Sequence, residues 1–250
     1  MPVPQNLNYD MWLGTTPAVY YTEKRVHPQA DYDRPGWLRC EQFGAGMITG
    51  WGSHHIDCAH WGMNTEYTGP TEVWGWAEFP AKGLWDVHGR FRTEALYTNG
   101  VHMIVSNDLP NGIRFEGTDG WIFVTRGNYT ATASDPVVKQ GEVKPLEASD
   151  PKMLTSVIGP NEVHLYHSDD QHGNWLDCIQ SRNEPIAPVE VGHRSCSACL
   201  IHHTVMKLKR KVYWDPAQEQ YKNDPEANAM LSRPQRSPYA IKALATAKSR

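Results

Sequence analysis

The sequence predicts an α+β fold: a mostly antiparallel, open β-sheet with helices packed on one face. Three observations point to it. Residues 71–126 run as short apolar segments punctuated by Asn99-Gly100, Asn111-Gly112 and Asp119-Gly120, dipeptides that supply the positive φ angles of tight hairpin turns. Several of these segments are apolar on both faces, which a sheet open to water on one side does not require. Two helical patterns follow only after residue 168, and strands followed by helices, rather than alternating with them, are the α+β order.

In chain order, residues 1–43 are rich in Pro, Tyr and Asp and read as an extended N-terminal arm. A domain over 44–240 follows, then a basic tail at 241–250. Within the domain, glycines crowd Gly44 to Gly52. Ser53 to Met63 then has helical character, with Ser53 as the expected N-cap. The segments "EVWGWAEF", "GRFRTEALY", "VHMIVSN", "IRFEG" and "WIFVT" form one predicted meander. Val101, Met103 and Val105 point one way and Ile104 the other, and "WIFV" has no polar face. We therefore expect helices on one side of the sheet and a second subunit on the other. Residues 130–162 read as a loop excursion. "SDDQHGNWLDCIQSR" opens a helix at Ser168, and "HRSCSACLIHHTVMKLKRK" forms another whose basic end suits a helix C-terminus. "NEPIAPVEV" between them is a short strand or loop, and the chain beyond Lys211 is polar and broken by prolines.

Composition narrows the function classes. The formal charge is −4 over 250 residues, so nucleic acid and anionic membranes are not expected partners. No apolar run approaches a membrane span, and "MPVPQNLNYD" lacks the features of a signal peptide. Five cysteines, an odd number, fit a reducing compartment better than a disulfide framework. These features lead us to expect a cytoplasmic protein. Ten tryptophans and eleven tyrosines stand against five phenylalanines. That balance suits carbohydrate faces, wet pockets and subunit interfaces, or simply a core built on Trp.

Four constellations carry possible chemistry. "GAGMITG" has the spacing G-x-G-x-x-x-G, not the G-x-G-x-x-G of a dinucleotide loop, and "WLRCEQF" before it is too polar for the buried strand such a loop needs. "GWGSHHIDCAHWGM" places His54, Asp57, Cys58 and Trp61 on one helical face, with His60 about 120° round from His54 at 100° per residue. His54 and Asp57 can act as an acid/base pair, the carboxylate fixing the imidazole tautomer; packed core histidines are the alternative. One zinc cannot reach Cys196, Cys199 and His203 together, since seven residues of helix rise about 10.5 Å, so this face is read as packing. His193 and Arg194 stand at a helix start, where the arginine can bind a carboxylate or sugar hydroxyl, or pair with Glu190.

The stretches "PVPQNLNYDMWLGTTP", "GAGMITGWGSHHIDCAHWGM", "IRFEGTDGWIFVTRG", "NWLDCIQSRNEPIAPVEVGHRS" and "KRKVYWDP…NDPEANAMLSRPQRSPY" together resemble the Gfo/Idh/MocA oxidoreductases. More narrowly, they resemble the C-terminal domain of the subgroup found in Bacteroidetes and Planctomycetes. The resemblance implies an open antiparallel sheet with helices on one face and oligomer contacts on the other. It also implies an N-terminal Rossmann domain with a G-x-G-x-x-G loop and a catalytic Glu-Lys-Pro lysine. This sequence contains neither, and Glu23-Lys24 falls in the wrong context.

On this resemblance the family's substrate-side histidine corresponds to His54. Its aspartate position falls on Gly50, leaving Asp57 or His55 to substitute. The implied sites are His54 and Asp57 for catalysis and Trp51, His55, His193 and Arg194 for substrate, with no cofactor-binding or metal residue in this chain. The resemblance implies NAD(P) for the complete enzyme, a sugar or cyclitol substrate, a homo-oligomer through the sheet face, and a separate Rossmann-domain chain as a further partner. The alternatives are a stand-alone carbohydrate-binding or assembly module and a metal-assisted sugar lyase or epimerase using His54 and Asp57.

Overall fold

A computed structural model describes residues 1–28, 36–126 and 144–240; the expected basic tail at 241–250 and residues 130–143 of the expected loop excursion lie outside them. In chain order the elements are α1 (Tyr9–Leu13), α2 (Glu23–Val26), α3 (Trp51–Met63), β1 (Glu72–Ala77), β2 (Phe91–Leu96), β3 (His102–Ser106), β4 (Ile113–Gly117), β5 (Gly120–Val124), β6 (Leu146–Ala148), α4 (Gln171–Ser181), α5 (Val189–Leu208), β7 (Val212–Asp215), β8 (Gln220–Tyr221) and α6 (Pro225–Ala229). One five-stranded sheet has the order β3-β2-β1-β7-β8, and every pairing in it is antiparallel. The fold is α+β, as the sequence predicts.

The single meander does not form. The Asn99-Gly100 hairpin joins β2 to β3, with Gly100 at φ 84°. The turn near Asp119 joins β4 to β5, but Gly117 pairs directly with Gly120, so Thr118 and Asp119 are the loop residues. At Asn111-Gly112 the chain instead leaves the first sheet, and β4-β5-β6 build a separate three-stranded one. Past β3, Asn107 folds back, its side chain accepting from the Phe91 amide at 3.0 Å and donating to the Gly89 carbonyl at 3.1 Å. Pro110 then offers no N–H with which to extend the ladder. The strands β7 and β8, in the polar region after Lys211, were not evident as strands because they are only four and two residues long, although β7 alternates Val212 and Trp214 inward with Tyr213 outward.

Helix starts also differ from expectation. Gly50, not Ser53, is the N-cap of α3; the Ser53 hydroxyl instead donates to the Gly50 carbonyl at 2.8 Å from within the first turn. Asp170 rather than Ser168 caps α4, accepting from the His172 amide at 3.0 Å. The helix expected from His193 begins at Val189, because Pro188 is already held near a helix-compatible φ. Residues 1–43, read as an extended arm, contain α1, α2 and a 3-10 turn at Gly36–Arg39. Tyr9, Leu13 and Tyr21 bury one another there against Trp12 and Phe43. The loop excursion contains β6 and a 3-10 turn at Pro151–Thr155.

The main core lies between one face of the large sheet and the helix pair. The strand β2 alternates strictly: Phe91, Thr93 and Ala95 face inward and Arg92, Glu94 and Leu96 are half-exposed. Val73, Met103, Val212 and Trp214 join them from β1, β3 and β7, and Ile56, Ala59, Ala198, Ile201, Val205 and Met206 meet them from α3 and α5. Each fully buried Val or Met contributes about 1.5–3 kcal/mol. Gly75 in β1 has φ 145°, and a Cβ there would come within 2.3 Å of the Arg92 carbonyl oxygen. Only glycine lets the two strands approach this closely.

This core contains imidazoles. His60 on α3 shares a 2.8 Å hydrogen bond with Tyr97, and His202 on α5 a 2.9 Å bond with Thr93. Both rings are wholly buried. Burial disfavours the charged form and pushes His60 down to about 4, against a small opposing pull from Asp57; burial, with His60 nearby, pushes His202 down to about 3. Between pH 6.5 and 4 the unfolded chain therefore takes up protons that the folded chain refuses. Their contribution to stability is complete above pH about 6.5 and is lost as pH falls toward the folded pKa values. We expect urea-unfolding free energy to decline across this window by up to about 1.4 kcal/mol per pH unit for each histidine, and His60→Gln to flatten the decline. A pH-independent midpoint between 6.5 and 4.5 contradicts this.

Candidate functional site

The start of α3 gathers most of the chemistry. The glycine-rich segment before it folds as a 3-10 turn at Gly46–Ile48, and most of its amides are already engaged. The Ala45 amide donates to Thr49 Oγ1 at 3.3 Å, and the Thr49 and Gly50 amides donate to the Gly46 carbonyl at 3.2 and 3.0 Å. The Ile48 amide donates to His88 Nε2 at 3.2 Å. His88 Nδ1 faces the Gly89 carbonyl at 3.2 Å, which places its proton on Nδ1 and leaves Nε2 as the acceptor. Burial lowers the pKa of His88, so the ring stays neutral in that role. Gly46 has φ 78°, and a Cβ on it would lie 3.0 Å from His88 Nε2. The glycines serve close packing on a buried histidine. A pyrophosphate needs free amides converging on it, and this turn does not fit one.

On the first turn of α3, Trp51 stands beside both His54 and His55, at centroid separations of 5.5 and 5.2 Å, as i, i+3 and i, i+4 neighbours on a helix must. The Arg126 guanidinium lies 5.1 Å from the Trp51 ring centroid, within cation–π range. His54 is exposed and His55 half-buried. Burial, with His54 and Arg126 adding to it, pushes the His55 imidazole down to about 4, so at neutral pH it offers one N–H donor and one lone pair.

One turn further on, Asp57 accepts a 2.6 Å hydrogen bond from Ser195 of α5. The carboxylate that the sequence pairs with His54 is thus bonded to the neighbouring helix instead. The two helices run antiparallel: Asp57 meets Ser195, while Trp61 and Asn64 share a cleft with Pro188 and Val191. His193 and Arg194 therefore stand toward the far end of α3 from His54. His193 Nε2 lies 2.6 Å from Glu219, and Arg194 donates to Glu190 at 2.7 Å and to the Pro216 carbonyl at 2.6 Å. Both tie the start of α5 to the β7–β8 turn. The structure brings Trp51, His54 and His55 together, and places Asp57, His193 and Arg194 on other contacts.

Of the Cys196, Cys199 and His203 face, expected to serve packing, Cys199 and His203 are buried whereas Cys196 is exposed. Cys199 is wholly buried, and that burial raises its thiol pKa strongly. His203 lies 3.2 Å from Glu41, which also accepts from Lys207 at 2.7 Å; these partners hold the Glu41 carboxyl down at about 2 despite its burial. Among the described residues no three His, Cys, Asp or Glu side chains converge as a metal site, and no helix is long and apolar enough to cross a membrane.

The chain matches the family described as oxidoreductase family, C-terminal alpha/beta domain, over residues 1–141 and 151–241. It belongs to this family, the Gfo/Idh/MocA oxidoreductases. Among solved structures it is similar to an NAD-binding protein from Listeria innocua (18% identity, 71% of this chain and 54% of that one, TM-score 0.46). It is also similar to the WlbA dehydrogenase from Bordetella pertussis, solved with NADH and UDP-GlcNAcA (12% identity, 76% and 51%, TM-score 0.46). A third is an aldose-aldose oxidoreductase from Caulobacter crescentus complexed with glycerol (14% identity, 71% and 50%, TM-score 0.44). The chain spans about half the length of these proteins. No curated protein matches it.

Two contributors to this family domain were not legible in the sequence. Arg126 follows a strand and carries no motif. Ser195 is one of several small residues on α5, and only the helix pairing singles it out. Replacing Asp57 with Ala strands the buried Ser195 hydroxyl, which costs about 1–3 kcal/mol. Urea denaturation is expected to show that loss for Asp57→Ala, and a smaller one for the double variant with Ser195→Ala. Equal stability of wild type and Asp57→Ala contradicts the pairing.

Proposed function

We propose that this chain forms the substrate-binding and oligomerisation part of an NAD(P)-linked sugar or cyclitol oxidoreductase, with His54 as the group that takes up the substrate hydroxyl proton. The observation that carries this reading is an exposed imidazole set beside an indole and a guanidinium at the start of α3, in a chain of an oxidoreductase family. The Trp51 ring suits the C–H face of a sugar or inositol. His55, kept neutral by burial, hydrogen-bonds a hydroxyl. His54 accepts the proton as the carbinol is oxidised. Asp57 locks α3 against α5 beneath these groups, and His193 and Arg194 hold α5 to the β7–β8 turn.

The glycine-rich turn does not accommodate a pyrophosphate, so no hydride step is assigned to these residues. The dinucleotide belongs to a Rossmann domain outside the fold described here, which is also the expected partner. The outer face of the large sheet supports the oligomer reading: Trp76, Ile104 and Tyr213 are exposed on it, and Trp74 stacks on His102 at 5.5 Å with the Lys211 ammonium 4.6 Å from its ring.

Ligand-observed NMR with hexoses, uronic acids and inositols tests the reading. We expect a polyol to bind and Trp51→Ala to weaken it about tenfold, in line with the loss of an aromatic face. His54→Gln should weaken binding less while abolishing turnover once a nucleotide domain is supplied. NADH is expected to bind the chain alone no better than weakly. Tight NADH binding by these 250 residues, or polyol binding indifferent to Trp51→Ala, overturns the proposal.

A further inference from the structure

A second cleft opens at the opposite end of α3 and uses none of the residues assigned above. It has a volume of about 310 Å³ and lies between the C-terminal turn of α3, the 163–166 segment and the chain entering α5. Trp61 and Gly62 lie seven and eight residues beyond His54, about 10–12 Å of helix rise, so the two sites are separate. The volume suits a six-membered ring or a short chain.

Its walls are aromatic and its charge is negative. Trp61, Tyr67 and Tyr166 supply rings, and Glu66 and Glu184 supply carboxylates; no Lys or Arg lines it among the described residues. Among the described residues no cation contributes to setting Glu66: burial and the nearby Asp57 charge both raise its pKa. The pKa of Tyr67, the next residue, is raised by partial desolvation and by Glu184, Glu66 and Glu190 together. These two neighbouring residues thus register negative charge from Asp57, Glu184 and Glu190 on other segments.

The other charges around the cleft do not cancel it. Arg194 is engaged by Glu190, Glu219 and the Pro216 carbonyl. His164, on the wall, is bound through Nε2 to the Gly159 carbonyl at 2.9 Å. The C-terminal end of α3 reaches the cleft at Asn64, and the carbonyl end of a helix favours cations. The N-terminal end of α5 has the opposite polarity and carries Glu190 in its first turn.

We propose that this cleft binds an organic ammonium ion: a protonated primary amine on a ring or short chain, held between the Glu66 and Glu184 carboxylates and against the Trp61, Tyr67 and Tyr166 rings. Aromatic faces and carboxylates together select a cation over a neutral molecule of the same shape. A neutral sugar gains the stacking but leaves the carboxylates unpaired. The inference goes beyond the proposed oxidoreductase role and does not rest on it, since no residue is shared.

Isosteric pairs test it. Isothermal titration of the full chain at pH 7 with D-glucosamine and D-glucose, and with cyclohexylamine and cyclohexanol, separates charge from shape. At least one amine is expected to bind at least tenfold more tightly than its neutral partner. Glu184→Gln, at an exposed position past α4, and Glu66→Gln should each remove most of that preference. Chloride at high concentration should weaken amine binding and spare alcohol binding. If neither amine binds, if amine and alcohol bind alike, or if Glu184→Gln retains the preference, the proposal fails. Thermal denaturation of the Glu184→Gln chain confirms that a lost preference reflects the carboxylate and not the fold.

Discussion

The antiparallel contact between α3 and α5 is the constraint on which the rest of the molecule depends. It is made on one side by Ile56, Ala59, Ala198 and Cys199 and pinned by the Asp57–Ser195 hydrogen bond. It also demands that His60 and His202 remain uncharged, because each has one ring nitrogen bonded and the other unpartnered within the protein. A charge on either would sit in the apolar layer between helix and sheet without an ion-pair partner among the described residues, and such burial is far more costly than an unpaired neutral nitrogen. The helix pair can present its two ends as chemical surfaces because its middle is fixed in this way.

The two ends differ in kind. At the N-terminal end of α3, Trp51, His54 and His55 project beside Arg126, and the turn that leads there is braced from beneath by His88. At the other end, aromatic rings and the Glu66 and Glu184 side chains line a cleft. The same helix thus separates the proposed hydroxyl site from the proposed cation site. The distance between them follows from helical rise alone.

Much of this was readable before the fold was known. The hairpins at Asn99-Gly100 and near Asp119 follow from local turn chemistry, and the helix carrying "SHHIDCAHWGM" from its periodicity. The 120° offset of His60 from His54 separates the buried imidazole from the exposed one, and the structure buries His60 while leaving His54 at the surface. The loss of the single meander was not readable, because Asn111-Gly112 is as good a hairpin dipeptide as the other two. What redirects the chain is Asn107 folding back onto β2 and Pro110 lacking a donor. Strands β7 and β8 were missed for a related reason: at four and two residues, β7 is defined by the edge of β1 and β8 by the edge of β7, not by their own composition.

The sequence by itself determined the fold class, the family, and the clustering of Trp51, His54 and His55, since all three are properties of short segments and their spacing on a helix. It could not assign partners to Asp57, His193 and Arg194. A carboxylate three residues from an imidazole on one helix is a candidate for it only until another helix brings a buried hydroxyl closer. Tertiary structure decided that Asp57 binds Ser195, that the glycine-rich turn packs on His88, and that Glu66 and Glu184, far apart in the chain, face one cavity. Each of these depends on contacts between distant segments, whose geometry arises only when apolar burial forces the helices and sheet together.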